Sequence, residues 1–143
     1  MEEIEIFTDG ACRGNPGLGG WGALIRKKGE ESSLWGGERD TTNNRMEMEA
    51  AIRGLESIVE SSNITITTDS NYLKDGITQW LEGWKKKDWK TASKKPVKNK
   101  DLWMRLDELS QFHNVNWKWV KGHSGHRENE IADLLANKGI DEL

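Results

Sequence analysis

The sequence has one cysteine, no long apolar run and few aromatic residues other than tryptophan. Its single cysteine, Cys12, excludes an internal disulfide framework and a cysteine-rich zinc site. No apolar run approaches the roughly 20 residues that a helix needs to cross a membrane. The first eight residues carry glutamates at positions 2 and 3 and no basic cluster, so they do not resemble a signal peptide. We therefore expect a cytoplasmic protein.

The residues that are present indicate one domain with unevenly distributed charge. The chain has 143 residues, and we expect a single domain over 1–143. The net charge is −3, yet residues 81–100 hold eight lysines against Glu82 and Asp88, a local balance of +6. We call residues 81–100 the basic segment. It predicts a surface for a polyanion, although lysine runs are also commonly just solvated.

Apolar periodicity predicts an α/β protein. Alternating apolar residues predict five strands, at 4–8, 21–28, 32–38, 63–68 and 115–120. Apolar residues at helical spacing and capping signals predict five helices, at 43–61, 70–80, 81–89, 101–112 and 128–138, the last with Gly139 just after its end. Strands joined through helices are parallel, so we expect one mixed five-stranded sheet with helices on its faces.

Two aspartates follow matching strand patterns. Residues 4–9 and 64–69 both read Ile-x-Ile-x-Thr-Asp. If these strands are parallel, adjacent and in register, Asp9 and Asp69 emerge side by side at their carboxyl ends, because neighbouring strands lie about 4.8 Å apart. Two such carboxylates can share a metal ion. The alternative is that each aspartate only ends a strand and begins a turn.

Glu47 lies in the first turn of the predicted helix 43–61. Ala50 and Gly54 share its flank of the helix. Small residues there let the helix approach the sheet and aim Glu47 over the strand ends. The alternative is a capping box in which Glu47 pairs with Asn44.

The helix faces distinguish two other acids. Glu49 shares a face with Arg53 and further charged residues, and we expect that face to be solvated. Asp133 instead lies beside the apolar residues Ile131 and Leu134. A carboxylate at the border of a buried stripe is costly unless it is paired or binds a metal, so Asp133 is a candidate ligand. The alternative is an ordinary acid at the boundary of the core.

Two histidines, His123 and His126, flank Ser124 and Gly125 of a predicted loop at 122–125. A His-x-x-His pattern without cysteine partners is a weak indication of zinc. A loop histidine can instead move a proton or contact a phosphate. The carboxylates are all-oxygen ligands, which favours a hard cation, Mg²⁺ or Mn²⁺.

Long blocks of the sequence resemble type 1 ribonuclease H, over essentially the whole chain. These blocks are F-T-D-G-A-C-R-G-N-P-G at 7–17, T-T-N-N-R-M-E at 41–47, T-D-S at 68–70 and W-V-K-G-H-S-G-H-R-E-N-E-I-A-D at 119–133. Residues 83–103 resemble the basic protrusion, or handle, of the bacterial members. Several blocks in the right order are far more specific than any short motif.

The resemblance implies a fold, an activity and a set of catalytic residues. The fold is the ribonuclease-H-like mixed sheet of strand order 3-2-1-4-5 with helices on both faces. The activity is endonucleolytic hydrolysis of the RNA strand of RNA–DNA hybrids by two-metal-ion catalysis, leaving 5′-phosphate and 3′-hydroxyl ends. The resemblance assigns the cation, Mg²⁺ or Mn²⁺, to Asp9, Glu47, Asp69 and Asp133. His123 corresponds to a mobile catalytic histidine.

The resemblance also implies which residues bind the hybrid. Residues expected along the RNA minor groove are Cys12, Asn15 and Asn71. Thr42 and Asn43 correspond to a pocket for a DNA phosphate. Residues expected along the DNA strand and the handle are Trp80, Asn99, Trp103 and the lysines Lys85, Lys86 and Lys87.

Two other functions remain open from the sequence. One is a nuclease of the same fold that acts on DNA, and the other is a hybrid-binding module without catalysis. The presence of Asn15, Thr42 and Asn43 disfavours the first, and the presence of all four carboxylates disfavours the second. We expect the RNA–DNA hybrid as the partner, a monomer and no membrane association.

Overall fold

The chain folds as an α/β protein in the computed structural model, which describes residues 3–121 and 126–143. The strands are β1 (Glu3–Arg13), β2 (Gly17–Lys27), β3 (Glu30–Thr41), β4 (Asn63–Thr68) and β5 (Asn114–Trp119). The helices are α1 (Asn43–Glu56), α2 (Asn71–Asp75), α3 (Leu81–Lys86), α4 (Lys100–Phe112) and α5 (Arg127–Asp141), with a π-helical turn at Gly76–Trp80 between α2 and α3. None of the helices in these ranges is long and apolar enough to span a membrane.

The strands form one mixed sheet in the order β3-β2-β1-β4-β5. β1 is antiparallel to β2 and parallel to β4, and β4 is parallel to β5. Ile4 lies opposite Ile64, and Ile6 lies opposite Ile66. The predicted mixed sheet, its strand order and the matched register of the two Ile-x-Ile-x-Thr-Asp strands are therefore confirmed.

Helices cover both faces of the sheet. On one face, α1 and α4 enclose the main core, in which Ile6, Ile66 and Leu106 are fully buried. On the other face, α5 packs across β1, β2 and β3. A side chain at Gly22 would meet the backbone of α5 at Ala132, so this glycine lets the helix lie directly on the sheet.

Several element boundaries differ from the predictions. β1 continues to Arg13 because its pairing with β2 extends well beyond the end of its pairing with β4. α1 ends at Glu56, although the apolar spacing continues to Val59, whose side chain is exposed. Gly139 is buried inside α5 against the backbone of Gly36, so it does not end the helix as predicted.

The basic segment is mostly irregular. α3 ends at Lys86, earlier than the predicted helix 81–89. A single bridge between Lys90 and Pro96 closes the following loop, and Val97 is buried against the core. Leu81 at the other end is buried in the same core, so the segment is attached to the body at both its ends.

Candidate metal and nucleic-acid site

Asp9 and Asp69 lie where the parallel pairing of β1 and β4 ends. The last paired residues are Phe7 and Thr67, two positions before each aspartate. β4 stops at Thr68, whereas β1 continues and pairs Asp9 with Gly22 of β2. Asp9 is therefore inside a strand, and the prediction that it ends one was wrong. Its position beside Asp69 follows from the register, as the sequence predicted.

Glu47 reaches the same point from α1. The backbone N–H of Gly10 donates to Glu47 Oε1 at 3.0 Å. A side chain at Gly10 would overlap the backbone of Met46 and Glu47, so α1 can approach β1 this closely only at a glycine. Glu47 is 4% exposed. The helix thus delivers a buried carboxylate to the strand that carries Asp9.

Glu47 is not part of a capping box. Thr42, rather than Asn44, caps α1 by accepting a hydrogen bond from the N–H of Arg45 at 3.2 Å.

The expected solvation of Glu49 was also wrong. Glu49 is 8% exposed, and its Oε2 accepts from Arg53 Nε at 3.0 Å. Glu49 therefore belongs to an ion pair on the helix, with the more exposed Arg53 as its partner.

Three carboxylates converge tightly enough to hold a metal ion. One oxygen each of Asp9, Glu47 and Asp69 lies within 4.8 Å of the others. The second oxygen of Glu47, Oε2, is buried and has no hydrogen-bond partner. A buried, unpartnered carboxylate oxygen is costly unless a cation satisfies it. An all-oxygen set of this kind fits a hard divalent cation such as Mg²⁺ or Mn²⁺.

Burial and mutual repulsion raise the pKa values in this group. Burial, and then the charge of Asp69, raise the pKa of Asp9 from 3.8 to about 7. Burial, and then the charge of Asp9, raise the pKa of Glu47 well above its ordinary value. The protein alone therefore disfavours full ionisation of the group, and a bound cation favours it.

Asp133 lies beside this group. It is half-buried on α5, and both a hydrogen bond and its charge raise the pKa of Asp9. Its oxygens are not among the three that lie within 4.8 Å of one another. The predicted catalytic His123 lies outside the described residues, whereas His126 directly precedes α5.

Four residues predicted to bind nucleic acid lie together around the start of α1. Asn15 Oδ1 accepts from the backbone N–H of Asn43 at 3.1 Å, and Thr42 caps the helix. The thiol of Cys12 donates to the carbonyl of Gly14 at 2.6 Å. Burial raises the pKa of this thiol. Exposed amides and a helix N-terminus are groups that bind phosphate and sugar oxygens.

Other residues predicted to bind the hybrid lie in the basic segment or in the helical stretch that precedes it. Lys86 and Lys87 are exposed, and Trp80 is 36% exposed. Asn71 is exposed at the start of α2, two residues after Asp69. Lys85 differs from its neighbours because its Nζ contacts Asp107 Oδ1 at 3.1 Å.

Trp103 is not available to a ligand, and its predicted contact with the hybrid was wrong. Its side chain is 0% exposed, and its Nε1 donates to the hydroxyl of Tyr72 at 3.2 Å. The ring packs against Trp84 and Tyr72 at centroid distances of 5.5 and 5.4 Å. Trp103 therefore anchors α4 in the core.

Sequence reasoning missed two residues of this region, Arg45 and Tyr72. Arg45 lies two positions before Glu47, and it bonds with Asn99 and Asp101, which are 54 and 56 positions away. Tyr72 accepts hydrogen bonds from both Asn99 and Trp103. No periodicity signals such long-range polar contacts, although Arg45 stands in the T-T-N-N-R-M-E block.

Comparisons with known proteins agree with this geometry. The RNase H family model matches residues 1–141. A ribonuclease H of Hydrogenovibrio crunogenus is 64% identical over 143 residues, covering 100% of this chain and 99% of that protein. A ribonuclease H of Halorhodospira halophila is 63% identical over 140 residues, covering 98% of this chain and 94% of that protein.

Solved structures with the same fold are also similar in sequence. A type 1 RNase H with the type 2 active-site motif has a TM-score of 0.86 and 32% identity, covering 99% of this chain and 73% of that chain. An RNase H1 in complex with an RNA/DNA hybrid has a TM-score of 0.73 and 25% identity, covering 97% of both chains. With its carboxylates at the junction of β1, β4 and α1, the chain belongs to the RNase H family.

Proposed function

We propose that this protein hydrolyses the RNA strand of RNA–DNA hybrids at the cluster of carboxylate side chains. The reaction uses two Mg²⁺ or Mn²⁺ ions and leaves 5′-phosphate and 3′-hydroxyl ends. The observation that carries the proposal is the convergence of Asp9, Glu47 and Asp69 within 4.8 Å, with a buried Glu47 oxygen left without a partner. The RNase H1 that was solved with a hybrid shares the fold and 25% of the sequence.

The four carboxylates would hold the cations in different ways. Asp9 interacts with Asp133 as well as with Glu47 and Asp69, so it would be a ligand shared between two bound ions. Divalent ions in such sites activate the attacking water and stabilise the leaving oxygen. Glu47 is held by the N–H of Gly10, which fixes one of its oxygens and leaves the other for a ligand.

Two sets of surface residues bind the two strands. Asn15, Thr42 and Asn43 present amide and hydroxyl groups at the start of α1, where an RNA 2′-hydroxyl and a DNA phosphate can be recognised. In and beside the basic segment, Lys86 and Lys87 offer positive charge to the phosphates, and Trp80, which is 36% exposed, offers a ring on which a base or sugar can pack. Phosphate contacts of this kind read no sequence, so we expect little sequence preference.

The substrate test uses three labelled duplexes of one sequence: RNA–DNA hybrid, duplex DNA and duplex RNA. Each is incubated with Mg²⁺, with Mn²⁺ or with a chelator. We expect cleavage of the RNA strand of the hybrid only, with either metal and not with the chelator. Cleavage of duplex DNA would instead support a DNA-acting nuclease, and hybrid binding without cleavage would support a non-catalytic module.

The remaining expectations concern the state of the protein. That 1–143 works as one domain, as a monomer in the cytoplasm, stays a prediction of the sequence. His123 as a group that moves a proton or helps product leave also stays a prediction.

A further inference from the structure

The side chain of Arg45 joins α1, the helix that carries Glu47, to the end of the basic segment. Its Nη1 and Nη2 donate to Asp101 Oδ1 and Oδ2 at 3.1 and 2.8 Å, a two-pronged ion pair at the start of α4. Such planar, two-bond pairs fix orientation as well as distance. Residues two apart on a helix face different directions, so Arg45 points to α4 while Glu47 points to β1.

A second contact extends this link into the basic segment. The same Nη1 of Arg45 donates to Asn99 Oδ1 at 3.1 Å, and Asn99 Nδ2 donates to the hydroxyl of Tyr72 at 3.1 Å. Both ends of the Asn99 amide are therefore engaged. Asn99 has a left-handed backbone, with φ of 59°, at the turn from the segment into α4. We call Arg45, Asn99 and Asp101 the clasp.

The basic segment contacts the body of the protein through apolar residues as well as through the clasp. Leu81 and Val97 are buried at the two ends of the basic segment, and Trp84 packs on Trp103. The apolar contacts hold the segment on the body, and the clasp adds directional contacts beside the carboxylates. One turn of α1 thus carries both the clasp arginine and the carboxylate Glu47.

We propose that Arg45 is a positioning residue, which through Asn99 and Asp101 sets the position of the basic segment relative to the carboxylates. A hybrid bound by Lys86 and Lys87 then places its RNA strand at Asp9, Glu47 and Asp69. This proposal depends on the binding role proposed for the basic segment. It assigns to Arg45 no contact with the reacting atoms.

The test measures kcat and KM on a long hybrid that reaches from the carboxylates to Lys86 and Lys87. Arg45→Met should raise KM by about tenfold, the change equivalent to one lost charge-assisted hydrogen bond, and leave kcat unchanged. Arg45→Lys should not restore KM, because an ammonium cannot form the two-pronged pair. On a short hybrid that covers only the carboxylates, Arg45→Met should match the wild type.

Asp101→Asn separates positioning from direct contact with the substrate. It removes the two-pronged ion pair of the clasp while leaving the charge of Arg45 in place, so positioning predicts a higher KM. If Arg45 only attracted the polyanion, removing a neighbouring negative charge would lower KM or leave it unchanged, and the proposal would be overturned. The side chain of Asp101 is 65% exposed, so this variant is expected to fold.

Arg105→Met is the matched control. Arg105 also links α4 to α1, through an ion pair with Glu56 at 2.9 Å, but it makes no contact with the clasp. It should leave KM at the wild-type value. A KM raised equally by Arg105→Met would mean that any loosening of α4 has the same effect, and that would overturn a specific role for Arg45.

A double variant separates this proposal from the one on which it depends. Lys86→Ala/Lys87→Ala should raise KM on the long hybrid, and Arg45→Met should add little to it. An unchanged KM in the lysine variant would refute the binding role of the basic segment. A raised KM in the lysine variant, with wild-type values for Arg45→Met and Asp101→Asn, would overturn the clasp alone.

Discussion

At the scale of single residues, Glu47 and Glu49 form a natural pair for testing the site. Both are buried on α1, but Glu47 meets Gly10 and Asp9, whereas Glu49 is paired with Arg53. We expect Glu47→Gln to nearly abolish cleavage of the hybrid, because it removes a charged ligand. Glu49→Gln should leave the cleavage rate within a few-fold of the wild type. Equal losses of cleavage rate in the two variants would show that the face of α1 on which a glutamate lies does not decide whether it takes part in catalysis.

The crowded carboxylates also make a prediction about stability. The pKa of Asp9 is higher in the folded protein, at about 7, than its ordinary value of 3.8, so the ionised group opposes folding as the pH rises through this interval. Without metal near neutral pH, Asp9→Asn should have a higher melting temperature than the wild type. The gain in unfolding free energy should be about 1 kcal/mol.

Thermal melts with and without Mg²⁺ measure this effect. The gain should shrink when Mg²⁺ is added, because the ion stabilises the folded wild type by binding it. It should shrink as well at acid pH, where protonation removes the repulsion. A lower melting temperature for Asp9→Asn in metal-free buffer would mean that a structural hydrogen bond of Asp9 outweighs the repulsion.

The site residues that the sequence could predict are those fixed by backbone register or by a strong motif. Asp9 and Asp69 come together because two strands with the same pattern pair in register. The surroundings of Glu49 and Trp103 depend instead on packing between distant elements. A tryptophan suits a nucleic-acid surface and a core equally well, and Trp103 is buried because distant residues such as Tyr72 and Trp84 pack around it.

At the scale of elements, ion pairs tie the first turn of α5 to the sheet. Arg127 makes two hydrogen bonds to the carboxylate of Glu31, at 2.9 Å each, and Arg26 donates to both Glu31 and Glu128. The bonds from Arg127, and then from Arg26, lower the pKa of Glu31 from 4.5 to about 2. This attachment lies at the start of the helix that carries Asp133.

We therefore expect Glu31→Gln to lower the melting temperature near neutral pH by a small amount, since these groups are solvated. A carboxyl group with a lowered pKa stabilises the fold above its ordinary pKa and loses this effect as the pH falls towards the folded value. The difference between variant and wild type should thus narrow between the ordinary value of 4.5 and about 2. A difference that is constant over this interval would assign the effect to packing rather than charge.

Element types were easier to predict than element ends. Apolar spacing located every strand of the sheet within the described residues, but not where β1 stops, because its last residues are held by β2 rather than by their own alternation. Likewise the apolar spacing of α1 runs past its end at Glu56, since exposed Val59 continues the pattern without a partner. Pairing and packing between elements set these boundaries.

At the scale of the whole molecule, the uneven charge predicts how binding depends on salt. Each lost phosphate contact should reduce the log–log slope of hybrid affinity against salt by about 0.7–0.9. Lys86→Ala/Lys87→Ala should flatten the slope, measured by binding titrations at several salt concentrations. Lys85→Ala should change it less, because Asp107 already neutralises that ammonium. An unchanged slope in the double variant would mean that these lysines are only solvated.

The most direct test of the carboxylate site is the rate of RNA-strand cleavage in a hybrid as a function of Mg²⁺ concentration, for the wild type and Asp69→Asn. For the wild type we predict a rate that rises with Mg²⁺, saturates and vanishes with a chelator. For Asp69→Asn we predict a rate at least about a hundredfold lower at every concentration, since even the loss of groups that merely support metal ligands costs about 10–100-fold. Cleavage that persists with the chelator, or an Asp69→Asn curve that matches the wild type, would contradict a metal-dependent reaction at Asp9, Glu47 and Asp69.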